Sequence, residues 1–127
     1  MTTIIIKIFL MNIFPFYRVE FPMNLFPKDF TYAKFDHGKE LGKKIINEND
    51  ETYIALKKLI SIEKKGWNYD LTTYAPKNTF NSKKIKINCI DKTIVVNYIN
   101  SNNDSVQISK KLISNSCPSI PATSLIK

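Results

Sequence analysis

The chain has 127 residues, 43% of them hydrophobic, and a formal net charge of +8. This length suits one domain, and the composition excludes a wholly disordered chain. One histidine, His37, and two cysteines without C-x-x-C spacing, Cys89 and Cys117, exclude His-rich zinc sites and cysteine redox pairs of that motif. We therefore predict no metal and no cofactor, and we expect a reducing compartment.

The first segment, residues 1–36, is apolar and punctuated by proline. Its apolar run over residues 4–14 is shorter than the roughly 20 residues of a membrane-spanning helix. Lys7 inside the run and the bulky residues after it disagree with a secretory signal. We predict a cytoplasmic protein without membrane contact, with a buried strand in this run or, alternatively, a short helix. The Phe-Pro pairs predict extended segments and turns over residues 12–30.

The second segment, residues 37–66, has helical periodicity. Its apolar residues recur at spacings of three and four, and most lysines lie off that stripe. The polar residues 47–50 interrupt the stripe, so we predict two helical pieces, the second beginning near Asn49 to Glu51. Gly66 is expected in a left-handed conformation after the last turn.

The third segment, residues 67–111, alternates with a period of two, which is typical of half-buried strands. We predict a four-stranded antiparallel meander, formed by residues 67–72, 84–89, 93–99 and 106–111. Asp91-Lys92 would form a tight hairpin link, and residues 100–105 a turn or short loop. Residues 112–127 are expected to be a poorly ordered tail, unless Ile120, Leu125 and Ile126 dock in a groove. The predicted fold is one α+β domain, with an amphipathic helical segment packed on a mostly antiparallel sheet.

The alternation also predicts which side chains leave the core. Trp67, Tyr69 and Tyr98 share parity with Leu71 and Val96, so these rings should face the helix. The opposite, open face would carry polar side chains: Asn68, Asp70, Thr72, Lys84, Lys86, Asn88, Asn97, Gln107 and Ser109. Base stacking needs rings on the open face, so this arrangement disfavours a nucleic-acid platform and favours a hydrogen-bonding protein contact. The alternative is a solvated sheet face without a partner.

Residues 67–127 carry eight cations and three acids, a net charge of +5. A basic rim that attracts an acidic protein or phosphates could be formed by Lys83, Lys84, Lys86, Lys92, Lys110 and Lys111. Our candidate partner-binding residues are Asn68, Asp70, Lys84, Lys86 and Asn97, with Lys110 and Lys111 steering association. Asp36-His37 forms no recognised catalytic set, and Gly38, Gly42 and Gly66 form no phosphate loop, so we expect no enzyme activity.

A resemblance is carried by the order of elements over about residues 50–111. An amphipathic helix is followed by Trp67-x-x-Asp70-x-x-x-Tyr74-Ala75-Pro76, a lysine-rich strand and Ile94-Val95-Val96-Asn97-Tyr98. This order resembles the small immunity proteins of bacterial toxin systems, including contact-dependent growth inhibition. The resemblance implies a non-enzymatic protein that binds a cognate toxin in the cytoplasm and occludes its active or substrate-binding site. Because this chain is basic, the toxin's contact surface should be acidic or uncharged and polar.

Two other function classes remain open. The net charge of +8 also suits a small nucleic-acid-binding accessory protein, whose affinity would fall steeply with salt. A small enzyme that uses carboxylates, lysine or tyrosine is the third class.

Overall fold

The computed structural model describes residues 19–113 and 116–127. These contain one α-helix, seven strands and two short 3-10 turns, Met23–Leu25 and Ala122–Ser124. In chain order the main elements are β1 Asp29–Asp36, β2 Lys39–Asn47, α1 Glu51–Ile62, β3 Asn68–Tyr69, β4 Asn78–Asn81, β5 Ile85–Ile90, β6 Thr93–Ile99 and β7 Ser105–Lys111. The strand predicted in residues 4–14 lies outside the described residues.

All seven strands belong to one antiparallel sheet with the order β2-β1-β4-β5-β6-β7-β3. Because β2 and β3 lie at opposite edges, the chain must pass across the sheet between them. It does so through α1, which packs on the side that we call the helix face. Residues 70–77 then return across the other side, which we call the crossover face, because they link β3 at one edge to β4 near the centre.

The core lies between α1 and the helix face. Tyr53, Leu56 and Ile60 of α1 are buried against strand side chains of that face. The Phe80 ring on β4 contacts two β1 rings, with centroids 5.0 Å from Tyr32 and 5.9 Å from Phe30. Burial of such rings is the largest stabilising contribution available to a domain of this size. The α+β fold, with a helix packed on an antiparallel sheet, is therefore confirmed.

Several local predictions are also confirmed. Asp91-Lys92 links β5 to β6, whose adjoining residues Ile90 and Thr93 are paired, and Asp91 takes a positive φ of 54°. Residues 100–104 form the loop before β7. Gly66 takes the expected left-handed conformation with φ of 84°, although α1 ends earlier, at Ile62. Trp67 is buried, and Tyr69 and Tyr98 pack against the core.

The prediction of a helix directly after residue 37 was wrong. Residues Lys39–Asn47 form β2, which pairs with β1 along its length. The cause is the turn before it: His37 and Gly38 both have positive φ, 48° and 80°, as in the two-residue hairpin turns whose twist matches paired strands. The adjacent residues Ile45 and Ile46 point to opposite faces of the strand, since Ile46 is buried and Ile45 is 71% exposed.

The predicted first strand of the meander was also wrong in length and place. Only Asn68–Tyr69 is strand, and it pairs with β7 at the sheet edge. The strand next to β5 is instead β4, which the sequence pattern missed. Leu71, predicted to face inward, is 88% exposed because the chain leaves the sheet at Asp70.

The C-terminal segment, residues 116–127, is docked as in the second of the two alternatives. Ile120 and Leu125 are buried, whereas the Ile126 side chain is exposed. The Ile126 backbone forms a two-way bridge with Lys43 on β2, with N–O distances of 2.9 and 3.0 Å. A Cβ on Gly42 would lie 2.7 Å from the Leu125 Cβ, so this close approach requires glycine.

Candidate functional site

The crossover segment, residues 70–77, is held to the sheet by a network centred on Asp70. The Asp70 carboxylate accepts hydrogen bonds from Tyr74 Oη at 2.5 Å, Ser109 Oγ at 2.6 Å and the Thr72 amide at 2.8 Å. The Asp70 amide also donates to the Gln107 carbonyl at 3.0 Å. Asp70 was predicted to contact a partner, but its carboxylate is engaged within the chain.

The network perturbs two acid–base groups. Burial raises the pKa of Asp70, but the hydrogen bonds from Ser109, Tyr74 and Thr72 together outweigh burial and leave that pKa below its ordinary value of 3.8. The pKa of Tyr74 is raised, chiefly because its hydroxyl donates to Asp70. Both shifts favour the state with an ionised Asp70 and a protonated Tyr74, in which the Tyr74 hydroxyl donates its hydrogen bond to the Asp70 carboxylate.

Two more side chains from the predicted open face hold this segment. Gln107 Nε2 donates to the carbonyls of Asp70 at 2.9 Å and Thr72 at 2.7 Å. Asn88 Nδ2 donates to the Ala75 carbonyl at 3.1 Å, and Asn88 Oδ1 accepts from the Lys77 amide at 3.1 Å. The prediction of a fully open polar face was therefore wrong, because the chain covers part of that face with its own backbone.

The crossover face remains open at the end where β5 begins and β6 ends. A cavity of about 310 Å³ lies at this end of the sheet. Its lining includes Lys83, Lys84, Lys86 and Asn97, together with Ile85, Tyr98 and Val106 of the helix face. A second cavity of about 360 Å³ lies between Asn97 and the crossover segment. The two share Asn97, Ser105 and Val106, so they form one shallow groove, which we call the lysine groove.

Register explains why the groove residues meet. Lys86 and Asn97 are cross-strand partners in the β5–β6 ladder, so their side chains leave the same face side by side. Lys84 precedes Lys86 by two residues and shares its parity. All three side chains are exposed. Within the described chain, no carboxylate lies within ion-pair distance of Lys83, Lys84 or Lys86, so their charge is available to a partner.

The remaining predicted residues lie elsewhere. Lys110 is on the helix face, where its Nζ pairs with Glu63 Oε2 at 2.7 Å and donates to the Lys65 carbonyl, so it holds the end of α1 in place. Lys110 and Lys111 were predicted together to steer association, but strand alternation sends them to opposite faces. Lys111 is exposed on the crossover face, but it pairs with Thr93 at the far end of β6 from Asn97. Asn68 is half-buried on edge strand β3 and pairs with Ser109.

Sequence reasoning missed two apolar residues beside the groove. Leu71 is 88% exposed in the lining of the second cavity, and Ile99 is 48% exposed in the lining of the first. Asp70 could have placed Leu71 outside a strand, because an aspartate often accepts a hydrogen bond from the amide two residues later and so forms a turn. Ile99 shares parity with Asn97, and this parity could have placed Ile99 on the open face.

The described residues offer little else for chemistry. His37 lies in the β1–β2 turn with its side chain 95% exposed. Among residues 19–113 and 116–127, no three His, Cys, Asp or Glu side chains are grouped so that they could hold a metal ion. No helix in this part of the chain is long and apolar enough to cross a membrane.

Comparison with known proteins gives no match: no family model, no curated relative and no solved structure matches this chain.

Proposed function

We propose that the protein is a non-enzymatic binding protein that captures an acidic segment of a partner protein in the lysine groove. In this proposal it acts as an immunity protein, which occludes the active or substrate-binding site of a cognate toxin in the cytoplasm. The observation that carries the proposal is the set of three exposed, unpaired lysines beside a shallow cavity of about 310 Å³.

The chemistry of the groove supports a protein partner. Unpaired ammonium groups at a rim accelerate association with an acidic surface and select against basic partners. The Asn97 amide can donate to and accept from a backbone, while Leu71 and Ile99 offer apolar contact beside it. A surface that combines exposed cations, an amide and apolar side chains is suited to a polypeptide.

The groove also favours protein over nucleic acid. Single-stranded nucleic acids are held by base stacking on exposed rings. The ring that lines the first cavity, Tyr98, is half-buried against the helix-face core, and Tyr74 is clamped to Asp70. The groove therefore presents charge without a stacking platform.

The test compares two charge-reversal variants of the full chain. Lys84→Glu/Lys86→Glu changes the groove, and Lys44→Glu/Lys58→Glu changes two exposed lysines that line neither cavity. Bacterial proteins are captured on immobilised wild-type chain and on each immobilised variant. A protein that binds wild-type chain and the control variant, but not the groove variant, is then expressed in bacteria, alone and together with wild-type chain. We expect this protein to arrest growth alone, and we expect wild-type chain, but not the groove variant, to restore growth.

Three outcomes would overturn the proposal. One is a captured partner that both variants bind equally. A second is a captured protein without toxicity, which would exclude the immunity role. The third is capture of nucleic acid in place of protein, with affinity that falls steeply with salt, which would favour the nucleic-acid-binding alternative.

A further inference from the structure

The two cysteines of the chain, distant in sequence, are neighbours on the helix face. Cys89 lies on β5 with its side chain fully buried, paired with Asn78 on one side and Ile94 on the other. Cys117 belongs to the C-terminal segment, is half-buried and packs against the core. Both are free thiols, and Cys117 lies close enough to Cys89 to raise the pKa of the Cys89 thiol.

Hydrogen bonds to Ile120 hold the C-terminal segment against the sheet near Cys89. Tyr32 Oη donates to Asn78 Oδ1 at 2.6 Å and accepts from the Ile120 amide at 3.1 Å. Lys34 Nζ donates to the Ile120 carbonyl at 3.1 Å. These bonds fix the C-terminal segment three residues after Cys117, next to the β4 residue that pairs with Cys89.

We propose that Cys89 and Cys117 are a reversible disulfide site, which a small-molecule disulfide of the glutathione class oxidises and which thereby ties the C-terminal segment to β5. This site is separate from the lysine groove, because neither cysteine lines either of its cavities. Formation of the disulfide brings the two sulfurs to the S–S bond length of about 2.05 Å.

Exposure assigns the order of steps. The half-exposed Cys117 sulfur, as thiolate, attacks one sulfur of the small disulfide, whose S–S bond breaks and releases one small thiolate. The Cys89 sulfur, after losing its proton, then attacks the Cys117 sulfur and releases the second small thiol. The two protein thiols are oxidised to one disulfide, and one small disulfide is reduced to two thiols.

The environment of Cys89 sets the rate of the second step. The hydrogen bond with Cys117 and burial both raise the pKa of Cys89 well above its ordinary value of 9.0. Cys89 is therefore protonated at neutral pH, and closure of the disulfide should accelerate as pH rises.

The test treats the reduced full chain with oxidised glutathione at pH 7 and pH 8.5 and follows the intact mass. We expect a monomer lighter by two hydrogen atoms, formed faster at the higher pH, with a digest peptide joining Cys89 to Cys117. Excess reduced glutathione should restore the starting mass. Because a crosslink restricts the open conformations of the segment, hydrogen exchange of the Ile120 amide should slow about tenfold on oxidation.

Cys117→Ser is the matched control, because it removes the half-buried thiol and leaves the buried one in the core. It should show neither the mass loss nor the slower exchange. The proposal is overturned if wild-type chain keeps both thiols, stops at a glutathione adduct, or forms disulfide-linked dimers in place of the intramolecular bond. Crosslinking without slower Ile120 exchange would overturn the tying of the segment.

Discussion

The two faces of the sheet differ in burial and polarity, although the same strands form both. The helix face is dry: Tyr32, Phe80 and Trp67 are buried there, and α1 covers them. The crossover face is polar. Residues 70–77 cover part of it, held there by hydrogen bonds to β7, and leave the lysine groove open. The comparison teaches that one small sheet can bury an apolar core on one side and expose polar and charged side chains on the other, because alternation sends neighbouring residues to opposite faces.

The largest expected effect is on the helix face. Phe80→Ala removes a fully buried ring that touches two others, and it should lower the free energy of unfolding by about 3–5 kcal/mol. Ile45→Ala, on an exposed site of the crossover face, should change it by less than about 0.5 kcal/mol. Urea unfolding followed by Trp67 fluorescence measures both. Similar losses for the two variants would break the contrast between faces.

The next effect concerns the C-terminal segment. Gly42→Ala places a methyl group 2.7 Å from the Leu125 Cβ, so the segment must shift, at a cost of about 1–3 kcal/mol. Hydrogen exchange of the Ile126 amide, which donates to Lys43, should accelerate. Gly38→Ala is the control: its added carbon meets nothing within 4 Å, so it strains only the β1–β2 turn, through the positive φ of 80°, and should leave Ile126 exchange unchanged. Unchanged Ile126 exchange in Gly42→Ala would contradict the docked segment.

A smaller effect is expected where hydrogen bonds hold the crossover segment. Asp70→Asn weakens a charge-assisted network and should cost about 1–2 kcal/mol at pH 7. Because the folded-state pKa of Asp70 lies below 3.8, its carboxylate stabilises the fold above that pH, and this contribution is lost as pH falls through the folded-state value.

Unfolding experiments across pH 2–7 therefore sharpen this prediction. The difference between wild type and Asp70→Asn should shrink below about pH 3.8. Asp104→Asn, in the exposed β6–β7 loop, is the matched control and should have little effect at any pH. A difference that stays constant down to pH 2 would mean that the Asp70 charge does not stabilise the crossover segment.

Strands whose own residues alternate between apolar and polar could be predicted from sequence. Strands that depend on contacts with distant residues could not. The period of two in residues 85–89 predicted β5 because each buried residue there is apolar. β4 was missed because its buried residues include Asn78 and Thr79, whose polar atoms are satisfied by Tyr32 and by the Ala33 carbonyl, both far away in sequence. β2 was mistaken for helix because its adjacent residues Lys43-Lys44 and Ile45-Ile46 also fit a period of 3.6. The His37-Gly38 turn is the feature that distinguishes strand from helix here.

The candidate site was predictable to a similar extent. Alternation alone brings Lys84, Lys86 and Asn97 to one face, and the structure places them along one groove. The contact between Asp70 and Tyr74 is local and could be suggested from the sequence, but the Ser109 bond to Asp70 could not, because it depends on β3 pairing with β7. Alternation also could not show that Lys110 pairs with Glu63, since this contact joins α1 to the last strand.

Substitutions in the lysine groove should have the smallest effect on stability. They should also have the largest effect on binding. Calorimetric titration of the captured partner with the Lys84→Glu/Lys86→Glu chain tests the central claim most directly. We expect affinity to fall about 30-fold or more, with the free energy of unfolding changed by less than about 0.5 kcal/mol, while Lys44→Glu/Lys58→Glu binds as wild type does. Equal affinity of the two variants would contradict the assignment of recognition to this end of the crossover face.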